Sequence, residues 1–247
     1  MDRALYIAGT GARELMRRQD VQASNLANAL TPGFRAEIAA QRTAPVVGGA
    51  GMPTRAYAVE STPGADLTPG ALMATGRPLD VAVQGSGWFA VRAAGGEEAY
   101  TRAGNFAVSP DGMLVDHAGR PVLGVDGAPI AIPPDASVDV NPDGSISSVA
   151  ANDRVTALVL GQLKLVDPAP GQLVRGGDGL FRLAGGAAAP ADPGVRVAPG
   201  MLESSNVSAV ETMVTMISAA RHFDLQVQMM QNTEQNQRAA DQLLSLS

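Results

Sequence analysis

The string Gly85-Ser86-Gly87-Trp88-Phe89-Ala90 fits G-x-G-x-x-A, the pattern in which glycines let a backbone approach a dinucleotide pyrophosphate. That fingerprint works only when a helix follows at once, because the helix N-terminus holds the phosphates. Here Trp88 to Arg92 alternates as a strand does, and Gly95-Gly96 then turns the chain, so the string reads as part of a β structure. The two histidines stand apart: His117 in Asp116-His117-Ala118-Gly119, and His222 beside Arg221 near the C-terminus. Neither has ligand spacing to a second histidine, and the chain has no cysteine. Asp116 and His117 could form half of an acid–base pair, but neighbours on a strand or turn point apart. Asp111, Asp126 and Asp143 each precede a glycine, which is turn chemistry rather than the spaced oxygen ligands of a calcium loop. No G-x-S-x-G or S-x-x-K string supplies a nucleophile. The expectation is no catalytic, cofactor-binding or metal-binding residue, hence no enzyme and no cofactor.

Composition agrees with a scaffold. The 247 residues are 45% hydrophobic but only 4% aromatic, with 28 glycines and 17 prolines, which suits a β domain with many tight turns. A formal charge of -6 without a basic run argues against nucleic acid. The start Met1-Asp2-Arg3-Ala4-Leu5 lacks the charged and apolar regions of a signal peptide, and no run of about 18 apolar residues suggests membrane insertion. Without cysteine there is no disulfide framework, so stability must come from packing.

Helical spacing marks both ends. From Asp2 to about Leu30 there is no proline, and Leu5, Ala8, Ala12, Leu15, Gln19, Gln22, Leu26 and Ala29 recur at steps of three and four. Thr31-Pro32-Gly33 stops this helix, with Phe34 following as an anchor. A second helix, capped by Ser205 or Asn206, runs to about Leu244 with Val210, Met213, Ile217, Ala220, Phe223, Val227 and Met230 as its apolar stripe. Met213, Met216, Met229 and Met230 read as core or interface filling. Residues 36–75, including Val47-Gly48-Gly49-Ala50-Gly51 and Thr62-Pro63-Gly64, show no sustained period and are expected to form an extended connector. Between about 75 and 200, strand-like pieces at Leu79–Val83, Trp88–Arg92, Met113–Val115, Val138–Val140 and Gln162–Val166 alternate with turn signals.

The expected fold is therefore α+β: a central all-β domain of short antiparallel strands flanked by long N- and C-terminal helices. The division is 1–35 for the first helix, 36–75 for the connector, 76–202 for the β domain and 203–247 for the second helix. A 30-residue helix extends roughly 45 Å, longer than a small β domain can cover. Ordering each residue costs on the order of 1–2 kcal/mol, while a well-buried Leu or Val returns only roughly 1.5–3 kcal/mol. A stripe with about one strong apolar residue per turn cannot offset this alone, so the ends are expected to be partly disordered until a partner covers them.

Motifs supply what the periodicity cannot. Asn25-Leu26-Ala27-Asn28-Ala29, followed by Thr31, Gly33, Phe34 and Arg35, resembles the N-terminal signature of the flagellar rod and hook protein family. Thr75 to Val83 with Gly85 to Phe89, and Tyr100 to Phe106 with Asp111 to Val115, look like that family's central β domain. Leu202 to Val207, then Glu211, Met213-Val214, Met216-Ile217 and Arg221, is similar to its C-terminal signature. Length, the Met1-Asp2-Arg3 start and the tail through Phe223 look most like the proximal-rod branch, with the distal rod nearest to it, although Leu30 and Pro32 stand where relatives often carry a polar pair.

The resemblance implies a structural subunit of the flagellar basal-body rod that assembles helically and transmits motor torque to the hook. It implies partners among copies of itself and other rod proteins, and export through the flagellar export apparatus to the periplasmic rod without a cleaved signal. The terminal helices would pair as a coiled coil on assembly, with Leu5, Leu15, Leu26, Val210, Met213, Ile217 and Phe223 in apolar contacts and Phe34 as an anchor. Asn25 and Asn28 would cap the helix exit or bond a neighbour. Two other readings remain at this stage: a carbohydrate-active enzyme using paired carboxylates among Asp80, Asp111 and Asp116, and an adhesin with a self-associating helical stalk.

Overall fold

The structure is a computed structural model that describes residues 2–38, 41–45, 56–60, 64–134, 136–150 and 157–245. It divides into two units that interleave along the chain: one made of 1–29, 37–66 and 207–247, the other of 30–36 and 67–206.

The first unit is built on two helices, α1 (Asp2–Ala27) and α2 (Ala209–Ser245), which pack along each other. The helix expected from Asp2 ends where Asn28 N–H donates to Ser24 O at 3.1 Å and Ala29 N–H to Leu26 O at 3.2 Å, closing the last turn before Pro32. At the other end the cap differs from Ser205 or Asn206. Ser208 Oγ accepts from Glu211 N–H at 3.3 Å, and Ser208 O accepts from Thr212 N–H at 2.9 Å. Asn206 is unavailable as a cap because its side chain accepts from Ala36 N–H at 2.7 Å and donates to Thr68 O at 3.0 Å.

Among the described side chains the buried apolar positions along this pair are the small Ala12 and Ala219, with Thr212 and, near the end of α1, Asn25 also buried, while Gly11 faces the side-chain amide of Gln226. The expected α2 stripe is split. Val210, Met213 and Ile217 are 71%, 45% and 57% exposed, whereas Phe223, Val227 and Met230 are half-buried. The reason is geometric: steps of three and four that average below the helical repeat of about 3.6 residues wind a stripe around the helix, so its two halves lie on different faces.

Within the span expected as a connector, Glu37–Ile38 pairs with Gly64–Ala65, and Gln41–Pro45 with Ala56–Glu60, in the first unit. Leu72–Ala74 pairs with Met201–Glu203 in the second. The glycine-rich stretch Val47 to Gly51 and the Thr62-Pro63 pair lie outside the described residues.

The second unit carries the β core. Five strands lie antiparallel in the order Leu165–Val166, Trp88–Arg92, Glu98–Thr101, Phe181–Leu183, Leu173–Arg175. A three-stranded sheet joins Ala136–Val140, Ser145–Ala150 and Ala157–Gln162, and Val81–Gln84 pairs with Arg196–Pro199. Val81, Phe89, Val91, Phe106, Leu114, Ile146, Leu163 and Val197 form a closed core, with Phe89 and Phe106 edge-to-face at 5.1 Å. The Asp-Gly turns read from sequence close as expected. Asp126 Oδ1 accepts from Ala128 N–H at 3.1 Å, and Asp143 Oδ1 from Ser145 N–H at 3.0 Å.

Candidate assembly site

The residues that could have done chemistry are built into the scaffold. Gly85-Ser86-Gly87 is a tight link between strands Val81–Gln84 and Trp88–Arg92, with φ of 76° at Gly85 and 119° at Gly87, so a strand and not a helix follows the glycines. Asp116 is buried, and its carboxylate accepts from Ala118 N–H, Arg120 N–H and Arg120 Nε at 2.9, 2.9 and 2.6 Å, which commits it to its own turn and away from His117. Asp80 is buried as well, 3.7 Å from Arg77. Among the described residues no group of three or more His, Asp or Glu is placed to hold a metal ion.

The expected interface residues fall into both units. In the first, Leu15, Leu26 and Phe223 are half-buried, Val210, Met213 and Ile217 face outward, and Leu5 belongs to α1 with its side chain outside the described set. Asn25 is buried and pairs with a passing backbone as another strand would: its Nδ2 donates to Glu37 O at 2.9 Å and its Oδ1 accepts from Glu37 N–H at 2.7 Å. Asn28 Nδ2 turns back to Ser24 O at 2.9 Å, a second bond to the carbonyl that already accepts from its own N–H at the last helical turn. Of the two asparagines, then, Asn28 closes the helix end and Asn25 fixes the chain that leaves it.

In the second unit Phe34 is half-buried under Arg175, whose guanidinium carbon lies 4.7 Å from the ring centre and whose Nη1 donates to Arg35 O at 2.7 Å. Beside it the backbone of residues 33–36 bonds that of 203–206: Gly33 N–H to Glu203 O at 2.8 Å and Asn206 N–H to Phe34 O at 3.3 Å. Gly33 is required at this contact. Its φ is +69°, and a Cβ there would stand 2.3 Å from the backbone of Arg102 and Ala103.

Beneath this contact lies a charged cluster that spacing alone does not reveal. Arg35, Arg102 and Glu203 are 1%, 4% and 2% exposed. Arg35 Nη2 is 2.7 Å from Glu203 Oε1, Arg102 Nη1 donates to Glu203 Oε2 at 3.1 Å, and Gly70 N–H donates to Glu203 Oε1 at 2.8 Å. Both guanidinium groups also face Trp88, at 5.9 Å for Arg35 and 5.3 Å for Arg102. Burial pulls the Arg102 guanidinium below its ordinary range; the Glu203 charge opposes this and the Arg35 charge adds to it. One carboxylate thus serves two buried cations drawn from distant parts of the sequence.

Family models match three segments, and each holds part of this cluster. A model described as "Flagella basal body rod protein" matches residues 5–35, ending on Arg35. "Flagellar hook protein FlgE/F/G D1 domain" matches 82–148, with Trp88 and Arg102, and "Flagellar basal body rod FlgEFG protein C-terminal" matches 198–243, with Glu203. The chain is 46% identical to the flagellar basal-body rod protein FlgF of Salmonella typhimurium over 100% of both chains. It is 34% identical to the FlgF of Caulobacter vibrioides over 97% of each. To the flagellar basal-body rod protein FlgG of Bacillus subtilis it is 33% identical, covering 90% of this chain and 92% of that one. With full-length identity above 30% and the three matched segments joined in one buried cluster, the chain belongs to the flagellar basal-body rod protein family and, within it, to the FlgF type.

Proposed function

We propose that this chain is a non-enzymatic structural subunit of the proximal rod, held in the rod by helix packing between neighbouring subunits. Its partners are copies of itself and other rod and basal-body proteins, and its place is the basal body where the rod crosses the periplasm. Delivery is through the flagellar export apparatus, without a cleaved signal. As the ends leave that channel they order on the growing tip, so that folding and incorporation are one step.

The observation that carries this reading is the outward face of α2. Val210, Met213, Val214, Ile217, Leu225 and Met229 are all 45% or more exposed, a concentration of apolar surface that calls for a partner. The small residues Ala12, Thr212 and Ala219 occupy buried positions of the helical unit and Leu15, Leu26 and Phe223 are half-buried, while the six exposed apolar residues of α2 are left for neighbouring helices. Among the described residues no helix is long and apolar enough to cross a membrane.

The test is an Ile217→Asp variant supplied to a strain lacking the gene, scored by swimming and by electron microscopy of isolated basal bodies. Ile217 is already exposed in the monomer, so stability should change by no more than about 0.5 kcal/mol. A charge buried at a subunit contact without a partner should abolish swimming and truncate rods. Normal rods and normal swimming in the variant would remove the outward face from the assembly.

A further inference from the structure

The two helices are rooted in the second unit in different ways. Residues Leu30–Ala36 form a short strap that belongs to the second unit, while the residues on either side belong to the first. The C-terminal root is woven into sheet: Met201–Glu203 pairs along Leu72–Ala74, Ser204 N–H donates to Ala71 O at 2.8 Å, and Asn206 Nδ2 donates to Thr68 O. None of these bonds uses the strap. The strap is held by the Gly33, Phe34 and Ala36 backbone contacts with residues 203–206, by Phe34 under Arg175, and by the Arg175 Nη1 bond to Arg35 O, with the Arg35 side chain buried beneath it.

The burial of Arg35 is incomplete in its chemistry. Its Nη2 is close to Glu203 as a charge, but none of Nε, Nη1 or Nη2 is aligned on a hydrogen-bond acceptor, and all are buried. Arg102 is better held, donating to Glu203 Oε2 and, at 2.7 Å, to Gly85 O. The immediate cluster therefore contains two buried cations and one buried anion; the further carboxylate that acts on Arg102, Asp167, is itself exposed. A buried guanidinium with unpaired N–H groups is costly, and because Arg102 still pairs Glu203, replacing Arg35 with an apolar side chain of similar length leaves no buried charge without a partner.

We infer that Leu30–Ala36 is a releasable strap in which the unpaired Arg35 guanidinium favours release, so that the N-terminal helix is attached through a hinge and the C-terminal helix through a fixed anchor. Release gives the Arg35 guanidinium back to water and leaves Arg102 and Glu203 as a one-to-one pair, while the 72–74 and 201–203 ribbon stays closed. In the rod reading, on which only this consequence rests, one subunit could then present α1 differently to unlike neighbours without unfolding its β domain.

The test uses the purified full chain and amide hydrogen exchange, with acrylamide quenching of Trp88, the single tryptophan, as a second readout. In the wild type, Gly33 and Ala36 amides should exchange at least tenfold faster than those of Phe89 and Val91 in the core strand. Arg35→Met removes the excess charge and leaves a flexible apolar side chain beside Trp88, and should slow Gly33 and Ala36 exchange about tenfold. Gly33→Ala forces a Cβ into the backbone at Arg102 and Ala103, and should release the strap. Its strap amides should exchange at least tenfold faster and Trp88 quenching should rise severalfold, with core amides unchanged. Strap and core amides exchanging together in the wild type, or faster strap exchange in Arg35→Met, would overturn the inference and leave the rod assignment untouched. Gly33→Ala with unfolded core amides would likewise count against a separable strap.

Discussion

The β unit and the helical unit use apolar residues in opposite ways. In the β unit Phe89, Phe106, Val81 and Leu114 are fully enclosed, and its strands are short, each stabilised by side chains from other strands. In the helical unit the enclosed positions among the described side chains are Ala12, Asn25, Thr212 and Ala219, and the large apolar side chains Val210, Val214 and Ile217 stand outside. The first unit to be considered finished is thus the β one, whose core is complete within one chain. The helical one leaves large apolar side chains of α2 exposed. Enclosed and exposed apolar surface are thus divided between two regions, and substitutions in the two should have separable effects.

The largest effect on folding should come from emptying the β core. Phe89→Ala removes a fully buried ring that sits edge-to-face on Phe106, and a cavity of that kind costs about 3–5 kcal/mol. Urea unfolding followed through Trp88, which neighbours Phe89 and packs at a tilt against Phe181 with ring centres 4.6 Å apart, should show the loss directly. A change below about 1 kcal/mol would mean that the core is not what holds this unit together.

A smaller and pH-dependent loss is expected at Tyr100. The fully buried phenol donates to Glu98 Oε1 at 2.9 Å and accepts from Ala189 N–H at 2.6 Å, and burial pushes its pKa up to about 12. The folded state therefore favours the protonated phenol. That contribution is complete below the ordinary tyrosine range near pH 10 and disappears as pH rises through about 12. Tyr100→Phe should cost about 1–3 kcal/mol at neutral pH, because Ala189 N–H loses its acceptor, and should flatten the alkaline fall in stability. An unaltered alkaline limb in the variant would assign that fall to other groups.

Much of this division was legible in the sequence, for reasons that differ by region. Trp88–Arg92 was readable as a strand because a short apolar run between glycines suits one, but the alternation expected of it is absent: Trp88 to Val91 are all buried. The α1 exit was readable because Pro32 and Gly33 act locally. The start of α2 was misplaced because Asn206, a good cap by type, is drawn into a long-range bond with Ala36 that no local pattern announces. The same limit hid the Arg35–Glu203–Arg102 cluster. Its members are separated by 67 and 101 positions, and each alone looks like an ordinary surface charge. The available signal was context: Arg35 follows Gly-Phe and Glu203 follows Met-Leu, charges set directly against apolar residues in segments that resemble a family signature. The outward half of the α2 stripe was visible as apolar periodicity, but sequence could not say which half would meet α1, because a stripe that drifts round a helix has no single face.

The smallest expected effect on stability is also the most informative about that face. Val210 and Val214 are 71% and 61% exposed, one helical turn apart, so a Val210→Ser/Val214→Ser double variant removes little buried area from the monomer. Its unfolding free energy should match the wild type within about 0.5 kcal/mol, since serine and valine differ little in helix propensity. Association should weaken all the same, because the lost methyl groups are those a neighbouring helix would cover; sedimentation of concentrated protein, or rod yield from cells expressing the variant, would register it. A monomer destabilised by 2 kcal/mol or more would instead mean that these valines already support the isolated chain, and the contrast between a completed β unit and an open helical one would then be lost at its most exposed point.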